Sequence, residues 1–272
     1  MRKLPASRGL AWFAGSLALF RAQAARLVLI GLVFQFLVGF AQVGALGFLF
    51  VLAIPALTAG VLQSMSMVER GLKPPLMTLF CAFSVPERLM RLFILSVIMI
   101  AIGTLAAAIV MSGSTQDIDP QFLSQLETGD LKALSMADPL LLQRLLLAVL
   151  AGFFLSGFIA YFAIPLIWFQ GRNTGTAILN GLAGILRNWL PFLVLAGLLG
   201  ILAMPVALLS VSLLASSVGT GPSSTVLTLL MLLLMVTYQL ILFGAQYLSF
   251  KEVFGTGKED TQTGSGSDQL VA

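Results

Sequence analysis

The sequence predicts an all-α, polytopic membrane protein: six transmembrane helices with amphipathic helices lying along the cytoplasmic interface. Three observations lead there. Of the 272 residues 58% are hydrophobic and only 10% are charged, less than half of the roughly 25% charge of an average soluble domain; mean hydropathy is +1.01. Unbroken apolar runs, such as Leu140-Leu141-Leu142 and Met231-Leu232-Leu233-Leu234, lack the alternation of a membrane β-barrel. Backbone in hydrocarbon must then satisfy itself as helix. Finally, Lys and Arg collect on one side of the apolar runs. These features exclude a disordered chain, a soluble enzyme and a disulfide scaffold.

Six stretches approach the ~20 residues needed to cross hydrocarbon: Leu27–Ala41, Val43–Met67, Leu89–Met111, Leu140–Phe169, Leu190–Ser216 and Thr225–Phe250. The first is short and turns into the second through Gln42 and Gly44. A shallow hairpin is the alternative there, and two full crossings are preferred. The start, Met1-Arg2-Lys3, lacks the apolar core and cleavage site of a signal peptide and is expected to be retained. Residues 1–254 form one membrane domain, and the Gly/Ser/Thr-rich tail over 255–272 is expected to be disordered.

All Lys and Arg but Lys132 and Arg144 fall in the N-terminal segment, the second-to-third and fourth-to-fifth connections, and the tail. By the positive-inside rule both termini are cytoplasmic, in a multi-pass protein of the bacterial inner membrane. The same rule accounts for the net charge of +4, so nucleic acid is not expected as a partner. Asp117, Asp119, Glu127, Asp130 and Asp138 occupy the outer loop between spans three and four. Asp119-Pro120 and Asp138-Pro139 read as helix starts rather than a divalent-ion site. Two short amphipathic turns, Gln121–Leu126 and Leu131–Met136, flank Gly129.

The cytoplasmic segments carry helical patterns of their own. Arg8–Ala25 sets Leu10, Phe13, Leu17 and Phe20 on one face, with Trp12 beside them and Arg21 near its end; Pro75–Phe83 does the same with Leu76, Leu79, Phe80 and Phe83; Thr176–Asn188 with Ile178, Leu182, Ile185 and Leu186, closing on Arg187-Asn188-Trp189. Each is followed by two spans, so a unit of surface helix plus hairpin is expected three times. Trp12, Arg21, Arg187 and Trp189 are the candidate interfacial lipid contacts. Pro55 and Pro165, in the matching segments Ala53–Leu57 and Ala163–Ile167, are the candidate helix kinks. Small residues at every fourth position (Ala56, Gly60 and Ser64; Ala148, Gly152, Ser156 and Ala160) mark faces for close helix packing.

Chemistry is sparse. The chain has no His and one Cys, Cys81, so His-based metal sites, Cys/His nucleophiles and internal disulfides are excluded. Apart from Arg91 at the very start of the third span, Arg144 is the one charge within a span, and snorkelling explains it. Ser210 and Ser212 lack a base, and there is no phosphate-binding or dinucleotide motif. Gln35, Tyr238 and Gln239 would form a polar cavity if they converge. No catalytic group, metal or cofactor is expected. The three-hairpin layout is similar to that of mitochondrial carriers, but the charged gate after each kink proline is missing.

Several short motifs together resemble an uncharacterised proteobacterial family of six-span inner-membrane proteins, to which no activity is assigned. They are Gly9-x-x-Trp12 with Leu19-Phe20, Ile54-Pro55-Ala56 with Gly60, Arg70-Gly71-x-x-Pro74, Ala177 with Arg187-Asn188-x-x-Pro191-Phe192, and Tyr247-x-Ser249-Phe250-Lys251-x-x-Phe254, over roughly residues 5–254. The closing motif departs from the family's aromatic-Arg-Asp, with Phe250-Lys251-Glu252 in its place. The resemblance implies the six-span architecture and no reaction. More distantly the chain is similar to membrane domains attached to some glycerophosphodiester phosphodiesterases, which keeps lipid association open. The expected function is therefore non-enzymatic: binding of membrane lipids or membrane-protein partners in the cell envelope. The alternative is a small-molecule transporter or channel with an uncharged path. A lipid-headgroup enzyme using Glu69, Glu87, Arg88 or Arg187 is the third reading.

Overall fold

A computed structural model describes residues 3–42, 44–112, 139–216 and 222–255. The acidic segment 113–138, where the sequence predicts two amphipathic turns, and the tail beyond Gly255 lie outside the described residues. Those described form helices and no strand: α1 (Arg8–Ala22), α2 (Ala24–Gly39), α3 (Gly44–Glu69), α4 (Pro86–Met111), α5 (Pro139–Gln170), α6 (Thr174–Arg187), α7 (Trp189–Ser216) and α8 (Pro222–Phe254). A 3-10 turn, Phe40–Gln42, joins α2 to α3, and a longer 3-10 segment, Leu76–Ser84, precedes α4. Proline opens α4, α5 and α8, where its missing N–H would have no helical partner anyway. Helix α3 closes on Gly71, whose φ of +73° lets Gly71 and Leu72 donate to the Val68 and Met67 carbonyls. Gly171 after α5 and Gly255 after α8 sit in the same left-handed region.

Among the described residues, five helices are long and apolar enough to cross a membrane: α3, α4, α5, α7 and α8. The first expected span differs. Helix α2 has 16 residues, a rise of about 24 Å, and it joins α1 at a bend of 98°. Helix α3 occupies the centre, with 56% of its apolar stretch buried against 11% for α4 and α7. Around it pack α2, α4, α5, α8 and the 3-10 segment.

Between helices that share an apolar surrounding, burying a leucine gains little, and close backbone approach decides the packing. The small-residue stripes mark such approaches. A methyl on Gly60 would overlap the Leu79 carbonyl, so the Ala56/Gly60/Ser64 face receives the 3-10 segment rather than another spanning helix. A methyl on Gly152 would stand 2.9 Å from the Gly103 carbonyl oxygen, which marks the α4–α5 crossing; Ser156 Oγ donates across it to the Met99 carbonyl at 3.0 Å.

The same economy reshapes the surface helices. Helix α1 buries Gly9, Trp12, Ser16 and Leu19, not the expected Leu10/Phe13/Leu17/Phe20 face; Leu10 points outward and the other three are half-buried. Helix α6 buries Thr174, Ala177, Gly181 and Gly184 beside Ile185, and leaves Leu179 and Leu186 outside. The 76–84 segment is 3-10 rather than α, so its three-residue repeat buries Leu79 and Ala82 while Leu76 and Phe83 face out. Small residues thus share the inner faces with Trp12, Leu19, Leu79 and Ile185, while several large apolar residues stay outside, unlike a water-soluble amphipathic helix.

Helices α3 and α5 run through Pro55 and Pro165 as single elements, and α7 likewise through Pro205. Pro165 has no N–H for the Tyr161 carbonyl four residues back. Gln246 of α8 supplies the missing donor, its Nε2 lying 2.6 Å from that oxygen. At Pro55 the Ser96 hydroxyl donates to the neighbouring Leu52 carbonyl at 2.8 Å. Removing the α8 amide by Gln246→Leu should lower stability by about 1–3 kcal/mol, since the carbonyl is left unmet. Pro165→Ala restores the intrahelical N–H, so the double variant should recover most of the loss in thermal unfolding. Simple addition of the two effects would show that this bond is not the link.

Candidate functional site

The described charged residues other than Arg144 gather at one end of the bundle, where α3, α5 and α8 finish and α4 and α7 begin. Two arginines one turn apart on α4 set the hairpin register there. Arg88 donates to the Trp168 carbonyl at 2.7 Å, and Arg91 donates to the Gly171 carbonyl. Both thereby cap the negative C-terminal end of α5. The Arg88 guanidinium also lies 5.3 Å from the Trp168 ring centre, and the Trp168 indole donates to Gln63 of α3 at 3.0 Å. These arginines are committed to protein contacts.

A second network joins α1, α3 and α8. Arg8 donates through a terminal nitrogen to Glu252 Oε2 at 2.9 Å; its Nε lies 2.6 Å from Oε1, in ionic contact but not aligned as a hydrogen bond. The Trp12 indole donates to the same carboxylate at 2.6 Å. Opposite, Glu69 accepts from Lys251 at 3.1 Å and from the Tyr247 hydroxyl at 2.6 Å. Arg8, Trp12, Glu69, Lys251 and Glu252 line a cavity of about 440 Å³ together with Gly15 and Leu248. Nearby, Asn188 ties the N-terminal strand of chain to the α6–α7 junction: its Oδ1 accepts from the Leu4 N–H and its Nδ2 donates to the Gly184 carbonyl, both at 2.9 Å.

A larger crevice of about 550 Å³ lies between α3, α4 and α5, well along the spanning helices from the charged end. Ile54, Pro55, Met99, Ile100, Val149 and Phe153 form its walls. Its Ser96 and Ser156 hydroxyls are turned to the Leu52 and Met99 carbonyls.

The four residues expected at a lipid interface separate into two groups. Trp12 is 2% exposed and holds Glu252, so it is a buried packing residue and cannot meet lipid directly. Arg21, Arg187 and Trp189 are exposed, Trp189 at 58%. No hydrogen bond, ion pair or ring contact joins these three to one another among the described residues. Sequence reasoning named Glu69 only under the third reading and Lys251-Glu252 only in the closing motif, and did not bring the three together. The signal was present in Tyr247 and Lys251, four residues apart and therefore on one helical face. Gln35 faces Met235 at 3.7 Å rather than a polar cavity with Tyr238 and Gln239.

The single thiol, Cys81, lies in the 3-10 segment, where burial pushes it up from 9.0 to about 11. Only a small fraction is thiolate near neutrality, which suits packing rather than nucleophilic chemistry. Alkylation of Cys81 in the folded chain should keep rising about tenfold per pH unit up to roughly pH 10, whereas a denatured chain levels off earlier. Coincident pH profiles would remove the assigned shielding.

No protein-family model, curated protein or solved structure matches the chain.

Proposed function

We propose that the protein is a non-enzymatic, multi-pass membrane protein that binds lipid, with membrane-protein partners as further ligands. The observation that carries this is the chemistry of the α3–α4–α5 crevice. Its walls are mainly aliphatic and aromatic, its Ser96 and Ser156 hydroxyls are occupied by backbone carbonyls, and Thr104 is the one further side-chain hydroxyl in its lining. Such a lining suits a hydrocarbon chain, whereas a polar solute would find few groups to replace its water. The alternative, a transporter or channel with an uncharged path, would need a wetter route.

In this reading the bundle crosses a bacterial inner membrane six times, with α2 as the first crossing; local bilayer thinning would accommodate its short length. The charged end faces the cytoplasm because Lys and Arg dominate it. The threefold unit gains support from the glycine closures after α3, α5 and α8, the last helix of each unit. Exposed Arg21, Arg187 and Trp189 would sit at the headgroup level.

Filling the crevice tests the reading. Ala107 lines it, whereas Ala108 faces outward. In lipid nanodiscs followed by native mass spectrometry, Ala107→Phe should lose most of the lipid that stays bound to the unaltered chain, and Ala108→Phe should keep it. Equal retention in both variants would sink the assignment. Solute uptake by reconstituted vesicles that is abolished by Ala107→Phe would favour the transporter instead.

A further inference from the structure

The cavity between α1, α3 and α8 is walled by two ion pairs, Arg8–Glu252 and Lys251–Glu69. Its formal charges alternate in sign and cancel. None of the four side chains is sealed: their exposures run from 22% for Glu252 to 44% for Arg8. Nor is their bonding capacity exhausted. An ammonium has three N–H groups and a guanidinium five. Lys251 places one on Glu69, and Arg8 reaches Glu252 through one side of its fork. Each Glu69 oxygen accepts a single bond, from Lys251 or from Tyr247, and has room for another.

A bare anion entering this space would meet Arg8 and Lys251 but also two carboxylates. A bare cation would meet the reverse. A molecule bearing both charges a few bonds apart satisfies both walls at once. We propose that the cavity binds a phosphoethanolamine group, with its phosphate at Arg8 and Lys251 and its primary ammonium at Glu69. A primary ammonium donates hydrogen bonds to the Glu69 carboxylate; a trimethylated one has none to give. The buried Trp12 indole fixes Glu252 and so holds Arg8 in place. This assignment rests on the lipid-binding reading above, and the group is shared by a membrane lipid and by its soluble glycerol ester.

The test uses the full chain in nanodiscs containing equal parts of phosphatidylethanolamine, phosphatidylcholine and phosphatidylglycerol, with bound lipids identified by native mass spectrometry. Phosphatidylethanolamine should be retained several-fold over the other two. Glu69→Gln leaves Lys251 without its carboxylate and should move the preference to phosphatidylglycerol. Lys251→Gln leaves Glu69 and should weaken both phospholipids without that reversal. Lys251→Arg, which keeps the charge, should preserve the wild-type preference and reports on folding. Displacement by soluble glycerophosphoethanolamine would identify the headgroup alone as sufficient; retained lipid that the ester does not displace would identify the membrane lipid as the source. No preference in the unaltered chain, or the same shift in Glu69→Gln and Lys251→Gln, would overturn the assignment. A chain that keeps lipid without headgroup preference leaves lipid binding standing, whereas one that keeps no lipid removes both readings.

Discussion

Close approach of backbones at small residues holds this bundle together. In an apolar solvent a leucine is as comfortable outside as inside, so the gain comes from van der Waals contact and interhelical hydrogen bonds. Gly60 against Leu79 and Gly103 against Gly152 are the clearest instances. The remaining organisation follows from them. With the 3-10 segment seated on α3, α4 starts beside it, and Arg88 and Arg91 can reach the end of α5. The surface helices obey the same rule, turning Gly, Ser, Thr and Ala inward.

The second constraint is that a carbonyl in apolar surroundings needs a donor. Pro165 creates a vacancy in α5 that Gln246 fills from α8, so a local defect becomes a tertiary bond. Ser96 and Ser156 act similarly between α3, α4 and α5. Their hydroxyls stitch helices together and leave the crevice between them apolar. Ionic groups are confined to one end, where partial hydration lowers the desolvation penalty of Arg8–Glu252 and Lys251–Glu69.

The fold class and five of the spanning helices were legible because hydropathy and proline-marked helix starts are local properties of the chain. The small-residue stripes were legible too, though the partner of Gly60 was not, since nothing in Ala56–Ser64 distinguishes a spanning helix from a 3-10 segment. The buried faces of α1 and α6 were misread for a physical reason. Amphipathic reasoning assumes that the larger apolar residue goes inside, and that assumption belongs to water. Trp12 misled for the opposite reason: a tryptophan beside arginines suits an interface, but this one is buried because its indole has a carboxylate partner 240 positions away in sequence. The α1–α3–α8 cavity was invisible because it joins residues from three separated segments. Only the four-residue spacing of Tyr247 and Lys251 hinted at a shared partner.

The reach of α1 sets the order in which the molecule can be completed. Leu4 bonds Asn188, and Arg8 and Trp12 bond Glu252, across 184 to 244 positions of chain. Helix α1 leaves the ribosome well before its partners on α7 and α8. Until α8 arrives, Trp12 lacks its carboxylate partner and Ser16 the Gly244 backbone that packs on it, and the closure entropy of the long intervening segment still opposes docking. Helix α1 is therefore a latch that shuts only once α8 is in place, and a chain interrupted before residue 252 exposes on α1 the face that α8 otherwise covers.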